Sequence, residues 1–381
     1  MILEFGAKNY LSFKEGVDIS FELGRPGEKN VSHQDGVSNI LCLKGKNGSG
    51  KTNILTLLSF LQFVNAFSFN NKPNSNFAYA SYFYNDDPSE AYMIFKLDET
   101  TYEYELSFTL KEIISESLYC GSNREKLLFS RKYDKITKVD TAFAELKNIS
   151  KLRSNVGIIN LAHQYEIKAT EEFYDFFVNK IFCNADVFKI SESFDTLEQV
   201  TSYYKESPVM FKFCKNILKN SDLGIKDITI EEKLNSEDNK VFFPIFHYKT
   251  AGGVKKLDFS AQSGGTKKLY KSLFLYFWAL SEGGIEVVDE LDLHIHPHLV
   301  PQIFELFEDK SINTKNAQLI FTSHLTEIID SMGKYRTYII EKEENESFAY
   351  RLDEIEAVPI RNDRPISPLY NKGLLGGVPR L

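Results

Sequence analysis

The sequence predicts an α/β fold built around a phosphate-binding loop, with an antiparallel β meander and a helical insertion. A strand, a glycine-rich loop and an apolar helix follow one another near residue 45. Alternating β-like segments separated by turn signals come next, and from about residue 140 apolar residues recur at helical spacing. We therefore predict a head whose N-terminal part spans 1–139 and whose C-terminal part spans 226–381, interrupted by a helical insertion at 140–225.

Composition narrows the class of protein. The 381 residues are 43% hydrophobic and 26% charged, which is enough apolar surface for a large core. The longest apolar run, 273–280, is far shorter than the roughly 20 residues of a membrane span, and the N-terminus shows no export signal. Four widely spaced cysteines without a CxxC pair fit a reduced compartment, so we expect a cytoplasmic protein. The net charge of −8 excludes a strongly basic nucleic-acid coat.

Each predicted element rests on a local pattern. Strands are expected where apolar residues alternate, and helices where they recur every three or four positions. The expected strands are 1–8, 17–23, 39–44, 79–84, 92–97, 102–109, 240–248, 286–289, 318–322 and 335–341. The expected helices include 52–67 and 270–280.

The segment GKNGSGKT at 45–52 fits the pattern G-x-x-x-x-G-K-[ST] at every fixed position. Its glycines let backbone N–H groups turn toward one point, and the following helix adds the positive end of its dipole. Lys51 should reach the β- and γ-phosphates of a nucleotide, and the Thr52 hydroxyl should ligate Mg²⁺. The predicted ATP site comprises Asn47, Gly48, Ser49, Gly50, Lys51, Thr52 and Asn53.

A second motif, IEVVDE at 285–290, is a short apolar strand that ends in two acids. A buried strand rarely ends in two carboxylates unless a cation neutralises them. We expect Asp289 to hold magnesium, directly or through water. Glu290 is expected to polarise the attacking water during hydrolysis.

A third motif, SGG at 263–265, precedes a long apolar helix and forms a second anion site. One nucleotide does not need two such sites in one subunit. The order of the three motifs resembles that of the ABC-type ATPases, in which SGG is the signature sequence. The resemblance implies that Ser263, Gly264 and Gly265 cap the γ-phosphate held by a partner subunit.

Two further segments agree with this resemblance. DLHIHP at 292–297 resembles the D-loop of the family, with isoleucine where the pattern has leucine. LIFTSH at 319–324 resembles the switch segment, which implies that His324 contacts the γ-phosphate and the water. His294, His296 and His298 could instead bind zinc, but Pro297 interrupts them and the cysteines offer no obvious fourth ligand.

Motifs at both ends narrow the family. EFGAKNYLSFK at 4–14 resembles the N-terminal "NFxSFK" strand of the RecF/OLD-like AAA ATPases, which lies beside the adenine in that group. YNKGLLGGVP at 370–379 is similar to the "YLxGRYGxxP" tail of the same group. IINLAHQ at 158–164 looks like its "LxLAxQ" stretch, so Gln164 is expected to be the third sensor of the γ-phosphate and its magnesium. The ATPase core of this group resembles the heads of SMC-type proteins.

The resemblance implies a magnesium-dependent ATPase whose subunits close around two ATP molecules, as a homodimer or a higher homo-oligomer. Members of the group often serve bacterial phage-defence or abortive-infection systems, so we expect a sensor or scaffold with a separately encoded effector, such as a nuclease or toxin. Because 57 residues follow His324, we expect neither the TOPRIM nuclease domain of OLD proteins nor an intrinsic nuclease activity. A RecF-like repair ATPase that binds DNA directly is the alternative, and a transporter subunit fits the terminal motifs less well.

One segment could contact DNA. Residues 121–138 carry six basic side chains against two acids, with Phe129 and Tyr133 interleaved, and such a pattern could follow phosphates. Alternatively, the segment is a solvated hairpin or a face on which another protein docks. The basic residues are Arg124, Lys126, Arg131, Lys132, Lys135 and Lys138.

Overall fold

The fold was analysed in a computed structural model. It describes residues 1–23, 36–77, 79–149, 151–184, 196–221, 224–234, 239–294, 299–356, 359–361 and 364–378. The helices are α1 Lys51–Gln62, α2 Ile158–Gln164, α3 Glu171–Asn179, α4 Leu197–Glu206, α5 Pro208–Ser221, α6 Gly264–Glu282, α7 Leu291–His294, α8 Val300–Glu308, α9 Ile328–Met332 and α10 Ser367–Asn371. A π-helical turn, Phe63–Phe67, continues α1.

The strands form three sheets. The strands are β1 Ile2–Lys8, β2 Val17–Ser20, β3 Ile40–Lys44, β4 Ser89–Leu97, β5 Thr100–Phe108, β6 Ile113–Cys120, β7 Lys126–Lys132, β8 Lys135–Val139, β9 Ile181–Cys183, β10 Ile225–Leu234, β11 Lys240–Thr250, β12 Gly253–Asp258, β13 Ile285–Val288, β14 Gln318–Thr322, β15 Thr337–Glu343 and β16 Glu346–Arg351. An antiparallel sheet has the order β2-β1-β4-β5-β6-β7-β8, and a small one has the order β10-β11-β12.

The third sheet has the order β16-β15-β3-β14-β13-β9. Its strands are parallel except β16, which pairs antiparallel with β15. Strand β14 lies between β3, which leads into the phosphate loop, and β13, which leads into the two acids. The predicted α/β fold with an antiparallel meander is therefore confirmed.

The side chains of the parallel sheet separate two hydrophobic cores. In β3, Leu41 and Leu43 join the core that contains α1 and the antiparallel sheet, whereas Ile40 and Cys42 join the core of α4, α5, α6 and α8. This division follows from strand geometry, because successive side chains point to opposite faces. Both faces are covered, as expected for a parallel sheet.

Helix α1 forms the centre of the first core and contacts both large sheets. Together with the turns that follow it, the run Lys51–Asn70 is long and apolar enough to cross a membrane by length and composition. Most of its side chains are buried inside the protein, and its first residue closes the phosphate loop. The run therefore has the features of a core helix.

One predicted strand needs correction, and the meander has more strands than predicted. The predicted strand 79–84 is wrong: Tyr82–Tyr84 is a 3-10 turn in which Phe83 and Tyr84 have left-handed backbones that a strand does not allow. The aromatic ring of Tyr79 packs on Tyr10 and Phe108, so the apolar pattern reflects core contacts instead. Strands β6, β7 and β8 extend the meander beyond the predicted segments.

The segment 140–225 contains four of the described helices, and it also supplies β9 to the parallel sheet. Helix α3 packs in the first core, where Phe173 and Phe177 are fully buried among aromatic rings of the antiparallel sheet. Helices α4 and α5 pack with α6 in the second core. The segment is thus divided between both cores, and these two phenylalanines are core residues.

Candidate functional site

Four parallel strands end at one edge of the sheet, and each is followed by a polar segment. The phosphate loop follows β3, Asn184 follows β9, Asp289 follows β13, and Ser323 follows β14. The carboxyl ends of parallel strands are a common place for ligand sites in α/β folds. This edge is therefore the candidate site.

The phosphate loop is shaped by two glycines with left-handed backbones, Gly48 and Gly50. A side chain at Gly48 would meet open space, whereas one at Gly50 would come within 2.8 Å of the hydroxyls of Ser12 and Ser347. Lys51 Nζ donates to the carbonyl oxygens of Gly45 and Lys46 at 2.9 and 3.0 Å. The lysine is thereby held over the loop that is predicted to bind phosphate.

Electrostatics at Lys51 favour a partner with negative charge. Burial lowers the pKa of Lys51, and the nearby carboxylates of Asp289, Glu290 and Asp292 oppose this effect. An ammonium group in this setting is stabilised by further anionic oxygens.

The hydroxyl of Ser49, buried in the same loop, has no hydrogen-bond partner among the described residues.

Hydrogen bonds join the start of α1 to the residues that follow the acidic strand. The exposed Thr52 hydroxyl donates to Asp289 Oδ2 at 2.7 Å, and the Thr322 hydroxyl donates to Asp289 Oδ1 at 2.6 Å. The backbone N–H of Glu290 donates to the Thr322 hydroxyl at 2.7 Å. Thr322 therefore fixes both acids, a role that the sequence analysis did not assign.

Glu290 and His324 face each other at the same edge. His324 Nε2 lies 3.6 Å from Glu290 Oε1, and both side chains are partly exposed. The backbone of Glu290 is left-handed, a conformation that non-glycine residues adopt at an energetic cost and that is often found at functional sites. The backbone N–H of His324 donates to Asp292 Oδ1 at 3.0 Å. The structure thus brings together Lys51, Thr52, Asp289, Glu290 and His324.

Gln164 is not part of this cluster. Its helix packs against the far end of the α1 helical run, where Asn160 donates to Ala66 and accepts from the backbone of Phe69. At 1.5 Å per residue, Ala66 lies about 20 Å from Lys51. Gln164 is exposed beside the start of α3, so the expectation that it senses the γ-phosphate or magnesium is wrong for this structure.

Asn184, instead of Gln164, contacts the cluster. Its side-chain oxygen accepts from Asp289 N at 2.6 Å, and its amide group donates to Asp289 O at 3.3 Å. The sequence carried a signal for this residue, because Asn184 directly follows the short apolar run Ile181–Cys183. That run was too short to be recognised as a strand.

The signature segment begins α6 and is exposed. The Ser263 hydroxyl caps the helix by accepting from Thr266 N at 3.1 Å. Side chains at Gly264 and Gly265 would meet nothing within 4 Å. Among the described residues, no hydrogen bond or ion pair links this segment to the phosphate loop of the same chain. The segment therefore presents an open helix N-terminus to whatever lies outside the subunit.

The predicted D-loop is described only in part. Asp292 and Leu293 belong to α7, and Lys268 Nζ of α6 donates to the Leu293 carbonyl at 3.3 Å. His296, Pro297 and His298 lie outside the described residues, as does the side chain of His294. The zinc hypothesis thus stays a hypothesis.

Both terminal motifs approach the phosphate loop. In the N-terminal motif, Ser12 Oγ accepts from Asn53 Nδ2 at 2.7 Å. In the C-terminal motif, the Tyr370 ring lies 5.7 Å from Lys44 Nζ, and Gly377 N donates to Glu341 at 2.9 Å. The N-terminal motif thus contacts the start of α1, which follows the loop, and the C-terminal motif contacts the end of β3 and its neighbour β15.

Half of the basic side chains at 121–138 are engaged within the protein. Arg131 is fully buried beside Glu116 and donates to the Val156 carbonyl at 2.7 Å. Arg124 binds Glu103, and Lys126 pairs with Asp140. Phe129 is also buried. Lys132, Lys135 and Lys138 remain exposed, so the basic surface is smaller than the sequence suggested.

The residues at this edge fit a nucleotide with magnesium. The space at Gly48 is open, as a loop that receives a phosphate requires, and Thr52 and Asp289 offer the oxygen ligands that Mg²⁺ prefers. The described residues contain no group of three or more His, Cys, Asp or Glu side chains arranged as a metal site. Mg²⁺ sites commonly use one or two protein oxygens together with substrate phosphates.

A protein-family model matches residues 40–330. Its description reads "AAA domain, putative AbiEii toxin, Type IV TA system". The matched range begins at β3 and ends in α9, so it contains the phosphate loop, the signature segment, both acids and His324. No curated protein matches the chain.

Solved structures similar to the chain include three SMC heads, each aligned over 92% of this chain. One is an SMC head bound to the C-winged helix domain of ScpA, with 14% identity, 97% of that chain covered and a TM-score of 0.49. The SMC head domain from Thermotoga maritima has 14% identity, 98% coverage and a TM-score of 0.43. A head with an extended coiled coil, bound to the C-terminal domain of ScpA derived from Pyrococcus furiosus, has 13% identity, 96% coverage and a TM-score of 0.46.

Proposed function

The chain belongs to the AAA-domain family whose model matches residues 40–330, and we propose that it binds and hydrolyses ATP at the edge formed by β3, β9, β13 and β14. The cluster of Thr52, Asp289, Thr322, Glu290 and His324 is the observation that carries this proposal. It joins the helix start that follows a phosphate loop to two carboxylates and a histidine at one edge of the sheet. Such an arrangement is that of a nucleoside triphosphatase.

Each residue has a specific task in the proposed reaction. Backbone N–H groups of the loop and the Lys51 ammonium bind the β- and γ-phosphates. Thr52 and Asp289 would hold magnesium, which would neutralise charge on the phosphate oxygens. Glu290 accepts a proton from the attacking water, and His324, 3.6 Å away, orients that water against the γ-phosphate.

We propose further that two subunits close around two ATP molecules. The open N-terminus of α6 at Ser263, Gly264 and Gly265 supports this arrangement, because it offers anion-binding groups that the same chain does not use. Two-fold symmetry makes both sites composite, with Lys51 from one subunit and Ser263 from the other. ATP binding drives closure, and hydrolysis at Glu290 releases it.

The proposed biological role is that of a sensor or scaffold in an abortive-infection system. The words "AbiEii toxin" and "Type IV TA system" in the family description support this setting. In this role the ATP-dependent closure is transmitted to a separately encoded effector, such as a nuclease or toxin. Cytoplasmic location follows from the same proposal.

Glu290→Gln tests the proposal. We expect ATP binding to be retained, turnover to fall by at least about a hundredfold, and the closed dimer to accumulate on a sizing column. Glu145→Gln, on the exposed side of the 3-10 segment Thr141–Asn148, is the matched control and should behave as the native protein does. A monomeric Glu290→Gln protein in saturating ATP would refute the closure, and undiminished turnover would refute the role of Glu290.

A further inference from the structure

Lys44 is a buried lysine at the end of β3, directly before the phosphate loop. Only 2% of the residue is exposed, although the loop beyond it opens to solvent. Its Nζ donates to the Ser323 carbonyl at 2.7 Å and to the Leu325 carbonyl at 3.1 Å. One ammonium group therefore joins the end of β3 to the segment that follows β14.

The two carbonyl groups flank His324 in the chain. The backbone N–H of His324 itself donates to Asp292 at 3.0 Å. Contacts thus hold the backbone before, at and after the histidine. Its imidazole lies 3.6 Å from Glu290, so the direction of the side chain depends on this anchored backbone.

A lysine at this position is unfavourable for stability alone. Burial of the ammonium lowers the pKa of Lys44, which reports the cost of removing its charge from water. The residues before it in β3 are apolar, and an apolar side chain would avoid that cost. The Tyr370 ring of the C-terminal motif lies 5.7 Å from the ammonium, and this cation–π contact offsets part of the cost of burying the charge.

We propose that Lys44 is a positioning residue for ATP hydrolysis: it fixes the chain on both sides of His324 and thereby sets the imidazole against Glu290. This inference rests on the proposed function, because it requires that His324 take part in the reaction. Among the described residues, the hydrogen bonds of the Lys44 ammonium go to the carbonyl groups of Ser323 and Leu325 and not to Asp289 or Glu290. It acts on the chemical step through the histidine.

A double-mutant cycle tests the inference. Lys44→Met keeps the length of the side chain and removes the hydrogen bonds, so kcat should fall about tenfold to a hundredfold while KM for ATP stays within about twofold. In a His324→Ala background the same change should have no further effect, since Lys44 acts through that residue. A role in stability alone would instead change kcat by the same factor in both backgrounds or not at all.

Lys334→Met is the matched control. Lys334 also donates to a backbone carbonyl, that of Ile360 at 3.3 Å, and lies over a tyrosine ring, that of Tyr335 at 5.0 Å, away from the site. The kcat of the Lys334→Met protein should stay within about twofold of the native value. ATP affinity measured by titration verifies that each variant is folded. If Lys44→Met does not fold, Lys44→Gln, which can still donate to one carbonyl, is carried through the same cycle.

The outcomes separate the inference from the proposed function. Equal losses from the lysine change in both backgrounds, or a rise in KM without a change in kcat, would overturn the inference alone. The inference would also be overturned if Lys44→Met had the native kcat while His324→Ala was impaired. If His324→Ala itself hydrolyses ATP at the native rate, the proposed role of the histidine fails, and the inference fails with it.

Discussion

The hydroxyl of Thr52 donates a hydrogen bond to Asp289 across 2.7 Å, although 237 positions separate the two residues in the chain. One residue belongs to the helix that follows the phosphate loop, and the other follows the acidic strand. Their contact depends on the order of the parallel strands, which brings the ends of β3 and β13 to the same edge with β14 between them. The sheet thereby assembles an oxygen-rich site from two distant motifs.

Removal of the Thr322 hydroxyl should impair hydrolysis more than binding. Thr322→Val keeps the shape of the side chain but deletes the hydrogen bonds to Asp289 and to the backbone of Glu290. We expect kcat to fall about tenfold to a hundredfold with ATP affinity nearly unchanged, because both acids lose their alignment. Thr250→Val, at the exposed end of β11, is the control, because this hydroxyl also donates a hydrogen bond away from the site. Native kcat in Thr322→Val would contradict this assignment.

Asn184 and Gln164 offer a paired test of the site. Asn184→Ala deletes both side-chain hydrogen bonds to the backbone of Asp289, so we expect kcat to fall at least about tenfold and the magnesium concentration for half-maximal activity to rise. Gln164→Ala should leave both values within about twofold, since the residue lies at the far end of the α1 run. Steady-state ATPase assays across a magnesium titration measure both. The reverse order of effects would restore Gln164 as the sensor.

Two inactive variants should complement each other if the site is shared between subunits. Lys51→Ala removes the ammonium that is proposed to bind phosphate, and Ser263→Arg places a bulky side chain beside the open space at Gly264 and Gly265. Each variant alone should lack ATPase activity. An equal mixture should recover about a quarter of the native activity, because half of the random dimers contain one intact site. A mixture that stays inactive under conditions of subunit exchange would argue against composite sites.

Glu286 should make stability fall as pH rises. The residue is buried in β13, its Oε2 has no partner among the described residues, and burial raises its pKa well above the usual value. The folded protein therefore keeps a proton that the unfolded chain releases above about pH 4.3. Rising pH then favours the unfolded state, with a limiting slope of about 1.4 kcal/mol per pH unit for this group.

Glu286→Gln isolates that contribution. The free energy of unfolding of the variant, relative to the native protein, should increase steadily from pH 5 to pH 8. Denaturant titrations at four pH values measure this difference, and other titrating groups cancel because both proteins share them. A difference that does not change with pH would mean that the Glu286 carboxyl is ionised in the folded protein.

DNA and nuclease assays address the alternative functions. With plasmid and Mg²⁺, the purified protein should leave the DNA intact, since the proposal assigns cleavage to a separate effector. The RecF-like alternative predicts salt-dependent DNA affinity that weakens when Lys132, Lys135 and Lys138 are changed to Gln, because these cations remain exposed. Robust cleavage would refute the separate effector, whereas tight salt-dependent binding would favour the repair function.

Local motifs were predictable, because their pattern and their structure lie in the same short segment. The phosphate loop, its flanking strand and helix, and the acidic strand all occur where the sequence indicates them. The family match confirms the predicted class of ATPase. Thr322 was passed over although its strand was predicted with the right bounds, because its task arises only when β14 lies beside β13.

The errors have physical causes of the same kind. Arg131 looked like a surface cation in a basic run, but its strand faces the core at that position, where Glu116 on the neighbouring strand pairs with it. Gln164 fitted a short family pattern, but helix packing carries it to the other end of α1. Asn184 follows a strand of three residues, which is too short to recognise by alternation.

The division of β3 between two cores has a mechanical consequence. Leu41 and Leu43 are tied to the side that holds the meander, and Cys42 to the side that holds α6 and its signature segment. Because β3 packs in both cores, a displacement of either core acts on this strand, which ends directly before Gly45. In the proposed dimer, a partner subunit that contacts α6 would therefore act on the phosphate loop through β3, a strand of only five residues.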